Sequence, residues 1–273
     1  MSNRGGVVKT LFKRDFVYTF YSWGFYVVLF AAFMISSFIL KNFLDGIREE
    51  DILVSAYPLN YPLFISVIVI SIYLVMLSGV SISREREHGT LEVLFYGPVT
   101  AGNFLISKYF KDLCLGIIAL AFCAVYFYLV SLTTNLGFTA GLVRALVMGV
   151  FMISCVVCFG LFISSLTGRT RSSVLVLLAI LGGFLALQFV HAALIGMERE
   201  ALSTPMLYLR ETVSHLFRGI NWVSPFAFLN RGLDAVVLDS PLLFGLNIFY
   251  AVVYSVIFLI LSIISMSLKG VKA

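Results

Sequence analysis

Apolar residues in this chain gather into six long uncharged runs, with polar residues confined to the gaps between them. The runs are Phe16–Leu40, Ile52–Ser83, Leu113–Val143, Ala145–Gly168, Ser172–Met197 and Ser240–Leu268. Each reaches the length of about 20 apolar residues that crosses a bilayer. Trimmed at Pro, Gly and polar clusters, they predict spans near 22–41, 62–83, 112–132, 143–166, 173–196 and 242–268. The expected fold class is therefore all-α integral membrane, with six transmembrane helices in a single domain over 1–273. The first run is long, begins well inside the chain and lacks a small-residue cleavage site, so it reads as a span rather than a cleavable signal.

Two further segments are patterned without being spans. Residues 5–20 place Val8, Leu11, Phe12 and Phe16 at helical spacing, with Lys9, Lys13 and Arg14 elsewhere around the turn. This predicts an amphipathic interfacial helix, its apolar side in the acyl boundary and its cations near headgroups. Segment 197–240 is too polar to span, yet it holds Met206-Leu207-Tyr208-Leu209 and Phe226-Ala227-Phe228-Leu229 and is punctuated by Pro205, Pro225 and Pro241. Two short helices dipping into the outer leaflet are expected there.

Composition agrees with the pattern. Sixty per cent of the 273 residues are apolar, 12% are charged, and mean hydropathy is +1.02. A soluble domain carries about a quarter charged residues, so this chain cannot cover a water-facing exterior. The net charge of +5 sits in short loops and forms no stripe, which argues against nucleic acid as a partner. With the N-terminus placed in the cytoplasm, 12 of the 19 basic residues fall inside and seven outside. That asymmetry predicts both termini in the cytoplasm of a cell-membrane protein, residues 84–111 on the same side and 197–240 on the other.

The chemistry of the common enzyme sites is missing. The sequence contains no G-x-x-x-x-G-K-[ST] phosphate loop, no H-E-x-x-H pair and no G-x-S-x-G turn. Cys114, Cys123, Cys155 and Cys158 all lie inside apolar runs without a neighbouring His or carboxylate, so they read as small apolar filler rather than as a metal or redox set. No Asp, Glu, Lys or Arg lies in the middle of a trimmed span, which argues against a proton or sodium path. Gln188 and His191, near the outer end of the fifth span, are the polar candidates for a substrate path. A plain helix–helix hydrogen bond is the alternative for both.

The segment between the second and third spans, Arg84-Glu85-Arg86-Glu87-His88-Gly89-Thr90-Leu91-Glu92-Val93-Leu94-Phe95-Tyr96-Gly97-Pro98, is charged where a buried helix leaves the membrane. Gly89 permits a bend, an amphipathic turn runs from Thr90 to Phe95, Gly97-Pro98 stops it, and Thr100 is placed to cap the next helix. The pattern alone leaves two readings open, a solvated loop and a short helix that docks on another protein.

The same residues resemble a known family. "EREHGTLEVLFYGPVT" followed by "ISKYF" is similar to the signature of the membrane subunits of type-2 ATP-binding-cassette (ABC) exporters, E-R-x-x-G-T-L-E-x-L and then Pro-Val and Gly-Lys. "LFKRDFVYTFYSWGFYVVLF", "GLFISSLTGRTRSSV" and "SPFAFLNRGLDAVVLDSPLLF" resemble the start, fourth-span end and last-span approach of the subgroup related to gliding-motility permeases. Ser107-Lys108 stands where that family often has Gly-Lys, and Trp23-Gly24-Phe25 where many relatives have a Pro. The resemblance implies that residues 84–99 are the coupling helix and its flanks, seated against a cytoplasmic ABC ATPase subunit that carries the ATP and Mg. This chain itself would need no cofactor. Position by position it makes Arg84 part of that segment, Glu85 and Glu87 polar contacts to the ATPase, Gly89 the hinge, Thr90 and Leu91 the start of the docking turn, Glu92 its exposed acid, and Pro98 its end. It also implies a second permease subunit, with a path lined mainly by the second and fifth spans.

The function expected is thus the permease subunit of an ATP-driven exporter for an amphipathic or hydrophobic substrate, a transport subunit rather than an enzyme. A secondary transporter would show intramembrane ionisable residues or broken helices in matching halves, and neither is evident. A membrane signalling scaffold using the same docking helix remains the alternative.

Overall fold

A computed structural model describes residues 4–50, 59–96, 99–134, 137–197 and 204–268. Among these residues there are ten α-helices and no strand: α1 (Arg4–Phe20), α2 (Trp23–Glu50), α3 (Asn60–Glu87), α4 (Thr90–Phe95), α5 (Ala101–Thr134), α6 (Ala140–Leu166), α7 (Thr170–Gly196), α8 (Thr204–Val223), α9 (Ala227–Val237) and α10 (Pro241–Leu268). Six of them, α2, α3, α5, α6, α7 and α10, are long and apolar enough to cross a membrane. The chain is a multi-pass membrane protein.

The helices overrun the predicted spans. α2 continues well past residue 41, and α3 carries Arg84–Glu87 as its own last turn rather than as a loop. The largest difference is at α5, which starts at Ala101 instead of near 112 and draws Lys108, Lys111 and Asp112 into buried positions. Hydropathy trimming ends a span at the first charges, whereas the helix continues because those charges find partners. The four cysteines are free; Cys123, Cys155 and Cys158 are buried and Cys114 is half-buried.

α6 is the centre. It is buried on almost every side and packs most extensively on α3, then on α10, with α5 and α9 also against it. Helices in lipid gain little hydrophobic drive from touching, so close packing and polar contacts hold them together. The α3–α6 seam is built that way. A Cβ on Gly160 would lie 2.0 Å from Ser78 Oγ and 2.9 Å from the Val75 carbonyl oxygen, so here two backbones meet directly. One turn further, Ser164 Oγ accepts from the Ile82 and Ser83 N–H groups at 3.1 and 3.0 Å. Across to α10 and α5, Ser154 bonds Ser255 and Tyr109 at 3.0 and 2.8 Å.

α1 lays part of its apolar side on the bundle. Phe12, Phe16 and Phe20 stack in a ladder with centroids 5.5 and 5.7 Å apart, Leu11 is buried, and the helix packs along α5. Of the expected stripe Leu11 is buried, while Val8, Phe12 and Phe16 are half-buried. Among its described residues, segment 197–240 contains two helices, α8 of twenty residues and α9 of eleven, so the first is longer than the short helix expected. α9 is set against α6 and α10, with Phe228 buried beside Tyr254.

The seam sets a first expectation. Gly160→Ala forces a methyl into the backbone of α3 and should cost about 1–3 kcal/mol, the usual range for overpacking. Gly183→Ala, where nothing lies within 4 Å of the new methyl, should cost nothing. Reversible unfolding in mixed micelles, followed by helix signal, distinguishes the two.

Candidate functional site

The end of the bundle that carries α1, α4 and the α6–α7 turn concentrates the charges. Lys108, with only 7% of its side chain exposed, donates to Asp15 Oδ2 at 2.6 Å and to Glu85 Oε1. Its ammonium also lies 5.3 Å from the Phe104 ring. One cation thus ties α1, α3 and α5. Arg14 completes the cluster, 2.8 Å from Asp15 and 3.8 Å from Glu85. Burial alone would push the Asp15 carboxyl up, but the Lys108 ammonium and the bonds from Lys108 and Arg14 reverse this and hold it below the usual carboxylate range. Next to the cluster Lys111 Nζ stands 2.8 Å from Asp112 Oδ1, though neither Asp112 oxygen receives a hydrogen bond in good geometry.

This arrangement revises one sequence reading. Glu85 is expected to face a partner protein, and instead it turns inward to Lys108. Glu87 stays exposed, but its Oε2 accepts the Thr170 N–H at 3.0 Å, placing a carboxylate on the N-terminus of α7, where the helix dipole favours it. Arg86 donates to the Thr167 carbonyl at 3.4 Å. The last turn of α3 is therefore fastened to the α6–α7 turn by two contacts. Arg84 is exposed.

α4 follows from Gly89, whose φ of 69° is left-handed and favours glycine. Thr90 Oγ1 donates back to the Glu85 carbonyl at 3.0 Å. Leu91, expected to begin a docking face, is buried, and Phe95 meets Phe104 edge-on at 6.1 Å. These two side chains pin α4 to the bundle. Its free side carries Glu92, Val93 (71% exposed) and Tyr96 (92% exposed). Pro98 lies outside the described residues. Thr100 Oγ1 accepts from Asn103 N–H at 3.4 Å, a capping contact at the start of α5.

A cavity of about 450 Å³ opens between α3, α7, α8 and the start of α9. Phe64, Ile68 and Leu181 give it an apolar wall, and Gln188, Asn221 and Asn230 bring polar groups to it. His191 is not on the wall and does not pair with Gln188. It stacks on Phe217 with centroids 3.9 Å apart, so it joins α7 to α8.

The profile of the family described as ABC-2 family transporter protein matches residues 10–269, nearly the whole chain. The chain belongs to the ABC-2 transporter family. None of the curated proteins gives a match. ABC-2 chains are transport membrane subunits, and the family implies ABC ATPases as partners in general. Sequence reasoning found α4 in this ABC-2 chain but missed the Lys108 cluster. The available signal was the Lys108 position itself, a cation within a helix-forming apolar stretch, with Asp15 the lone acid among the basic residues of 4–14 and 108.

The cluster yields a second expectation. Lys108→Met leaves Asp15 and Glu85 with only the more exposed Arg14 as counter-charge and should cost up to about 3–5 kcal/mol, the range for removing one partner of a buried pair. The pH dependence has a fixed sign. Asp15 is depressed in the folded protein, so its contribution is complete above the unfolded carboxylate value of about 4. It is lost as the pH falls through the lower folded value. Hydrogen exchange of residues 4–20 should stay slow to about pH 4 and accelerate below it, and in Lys108→Met it should be fast throughout.

Proposed function

We propose that this ABC-2 chain is the permease subunit of an ATP-driven exporter, a single transmembrane unit that docks a cytoplasmic ABC ATPase through residues 84–99. The observation that carries the reading is the two-sided α4. One side is locked to the bundle by Leu91 and Phe95, and the other presents Glu92, Val93 and Tyr96 to the exterior. An exposed apolar and aromatic patch beside an acid fits a protein interface, where aromatic anchors supply much of the affinity. The position also suits transmission. Movement of α4 reaches the last turn of α3, and from there Glu87 and Arg86 carry it to the α6–α7 turn and α7.

In this reading a second permease subunit completes the path, and α3 and α7 line it. ATP and Mg bound by the partner chains favour one arrangement of the pair because they bind that arrangement better. The α3–α7–α8 cavity supports an amphipathic or hydrophobic substrate. It offers apolar side chains and neutral hydrogen-bonding groups, but no ion to replace the hydration of sodium or a proton. Helices α8 and α9 are the extracytoplasmic pair, and the seat of α9 between α6 and α10 supports re-entry into the bilayer.

Docking is tested with Tyr96→Ala and Glu92→Lys. Each should weaken co-purification of the ATPase at least about tenfold if the patch is an interface hot spot, with the permease itself still folded. Glu87→Gln should keep the ATPase bound but reduce transport per ATP. Unchanged binding in the first two variants would leave α4 a solvated connector.

Orientation has its own measurement. In a background without the four native cysteines, single cysteines replace the exposed His88 and Tyr208. An impermeant thiol reagent added from outside should label position 208 alone. Labelling at 88 alone would invert the topology.

A further inference from the structure

A second cavity, of about 640 Å³, lies between α1 and α3 with α5 behind it, apart from the α3–α7 cavity. Its walls carry four fixed cations, Arg14, Arg84, Lys108 and Lys111, against the carboxylates of Asp15 and Glu85. Asp112 contacts Lys111 from behind, so four positive and three negative charges leave an excess of one, with His88 on the rim. The acids are committed inward, Asp15 to Lys108 and Arg14 and Glu85 to Lys108. Arg84 is different. It is exposed at the cavity, and its guanidinium has no ion pair or hydrogen bond among the described residues.

The remaining wall has two characters. Tyr18, Ser22, Ser81 and Thr90 supply hydroxyls, while Met76, Leu77 and Val80 form an apolar floor. Tyr21 and Trp23 (85% exposed) stand at the α1–α2 junction beside it. In a membrane protein exposed Tyr and Trp mark the headgroup level. Cationic donors, hydroxyls and an apolar floor at that level match the junction between a phosphate and its acyl chain.

We infer that the α1–α3 cavity binds the headgroup phosphate of an anionic membrane phospholipid, with Arg84 as its principal donor and Met76, Leu77 and Val80 beneath the first part of an acyl chain. Arg14 faces the same space from α1 and is shared with Asp15. A phosphate accepts charge-assisted hydrogen bonds from arginine in preference to a neutral headgroup. A soluble phosphate would leave the apolar floor unused. The bound lipid would bridge α1 and the end of α3, next to α4. The inference does not require ATPase docking, so its failure leaves the proposed function untouched.

The test uses the full-length protein in phosphatidylcholine nanodiscs, with phosphatidylglycerol as probe and diacylglycerol as the uncharged control. Native mass spectrometry counts the retained lipid. Wild type should retain phosphatidylglycerol over both other lipids. Arg84→Gln should lower that retention roughly three- to tenfold, the loss of one partly screened charge-assisted contact. Lys41→Gln, in a different cavity, should leave it unchanged. A photoactivatable phosphatidylglycerol on the wild-type protein should cross-link within residues 14–22 or 76–90, which holds the proposal to account even if Arg84→Gln proves unstable. Equal retention of the three lipids, unaltered retention in a folded Arg84→Gln, or cross-links confined elsewhere would overturn it. Complete displacement by millimolar inorganic phosphate would assign the site to a soluble anion and overturn the lipid.

Discussion

The direct contact of α3 with α6 at Gly160 is the constraint on which the other helices depend. In lipid the hydrophobic effect does not pull apolar helices together, so a helix pair needs atoms in close contact or polar groups in register. Gly160 lets the α6 backbone reach α3, and Ser83 and Ser164 exploit the short distance. With that pair fixed, α2, α5 and α7 find their places around α3, while α9 and α10 pack on α6. Ser173 Oγ donates to the Gly79 carbonyl, bringing α7 onto the same small-residue stretch of α3.

The charged end depends on this frame and adds something the seam does not. A buried ammonium is costly unless it is paired and hydrogen-bonded. Lys108 meets that condition only when α1 lies along α5 and the last turn of α3 remains helical, because its two partners come from those elements. The cluster therefore makes the position of α1 and the position of α4 parts of one arrangement. Gly89 then releases the chain from α3 by its left-handed backbone, and Leu91 and Phe95 bring it back onto the bundle. The resulting α4 is rigid on one side and free on the other, which is the property a docking element needs.

The opposite end is held by aromatic and cationic contacts. Arg231 stacks 4.4 Å from Trp222 and donates to the Asn221 carbonyl, and Tyr254 donates to the Val223 carbonyl at 2.8 Å. Arg210 reaches the Ile195 and Met197 carbonyls at the end of α7, where positive charge offsets the helix dipole. Of these residues, Asn221 also lines the α3–α7 cavity. α7, by contrast, buries only Ser173, Leu177 and Leu194 against the other described residues, so most of its surface is uncovered by them.

Along the chain, the sequence by itself determined what depends on neighbours in sequence. Twenty-residue apolar runs fix the six spans, the break at Gly89 follows from a residue that tolerates left-handed backbone, and the capping contact of Thr100 follows from its place before α5. The EREHGTLEVL motif marks the α4 region through residue order alone. What only the tertiary structure decided depends on groups far apart in the chain. Lys108 and Asp15, 93 residues apart, neutralise each other, so a charge that reads as the end of a span becomes part of a helix. Glu85 turns from an expected partner contact into an internal one for the same reason. His191 meets Phe217 from another helix rather than Gln188 on its own. Hydropathy records whether a residue prefers water, but burial of a charge is decided by whether its counter-charge arrives, and that is a property of packing.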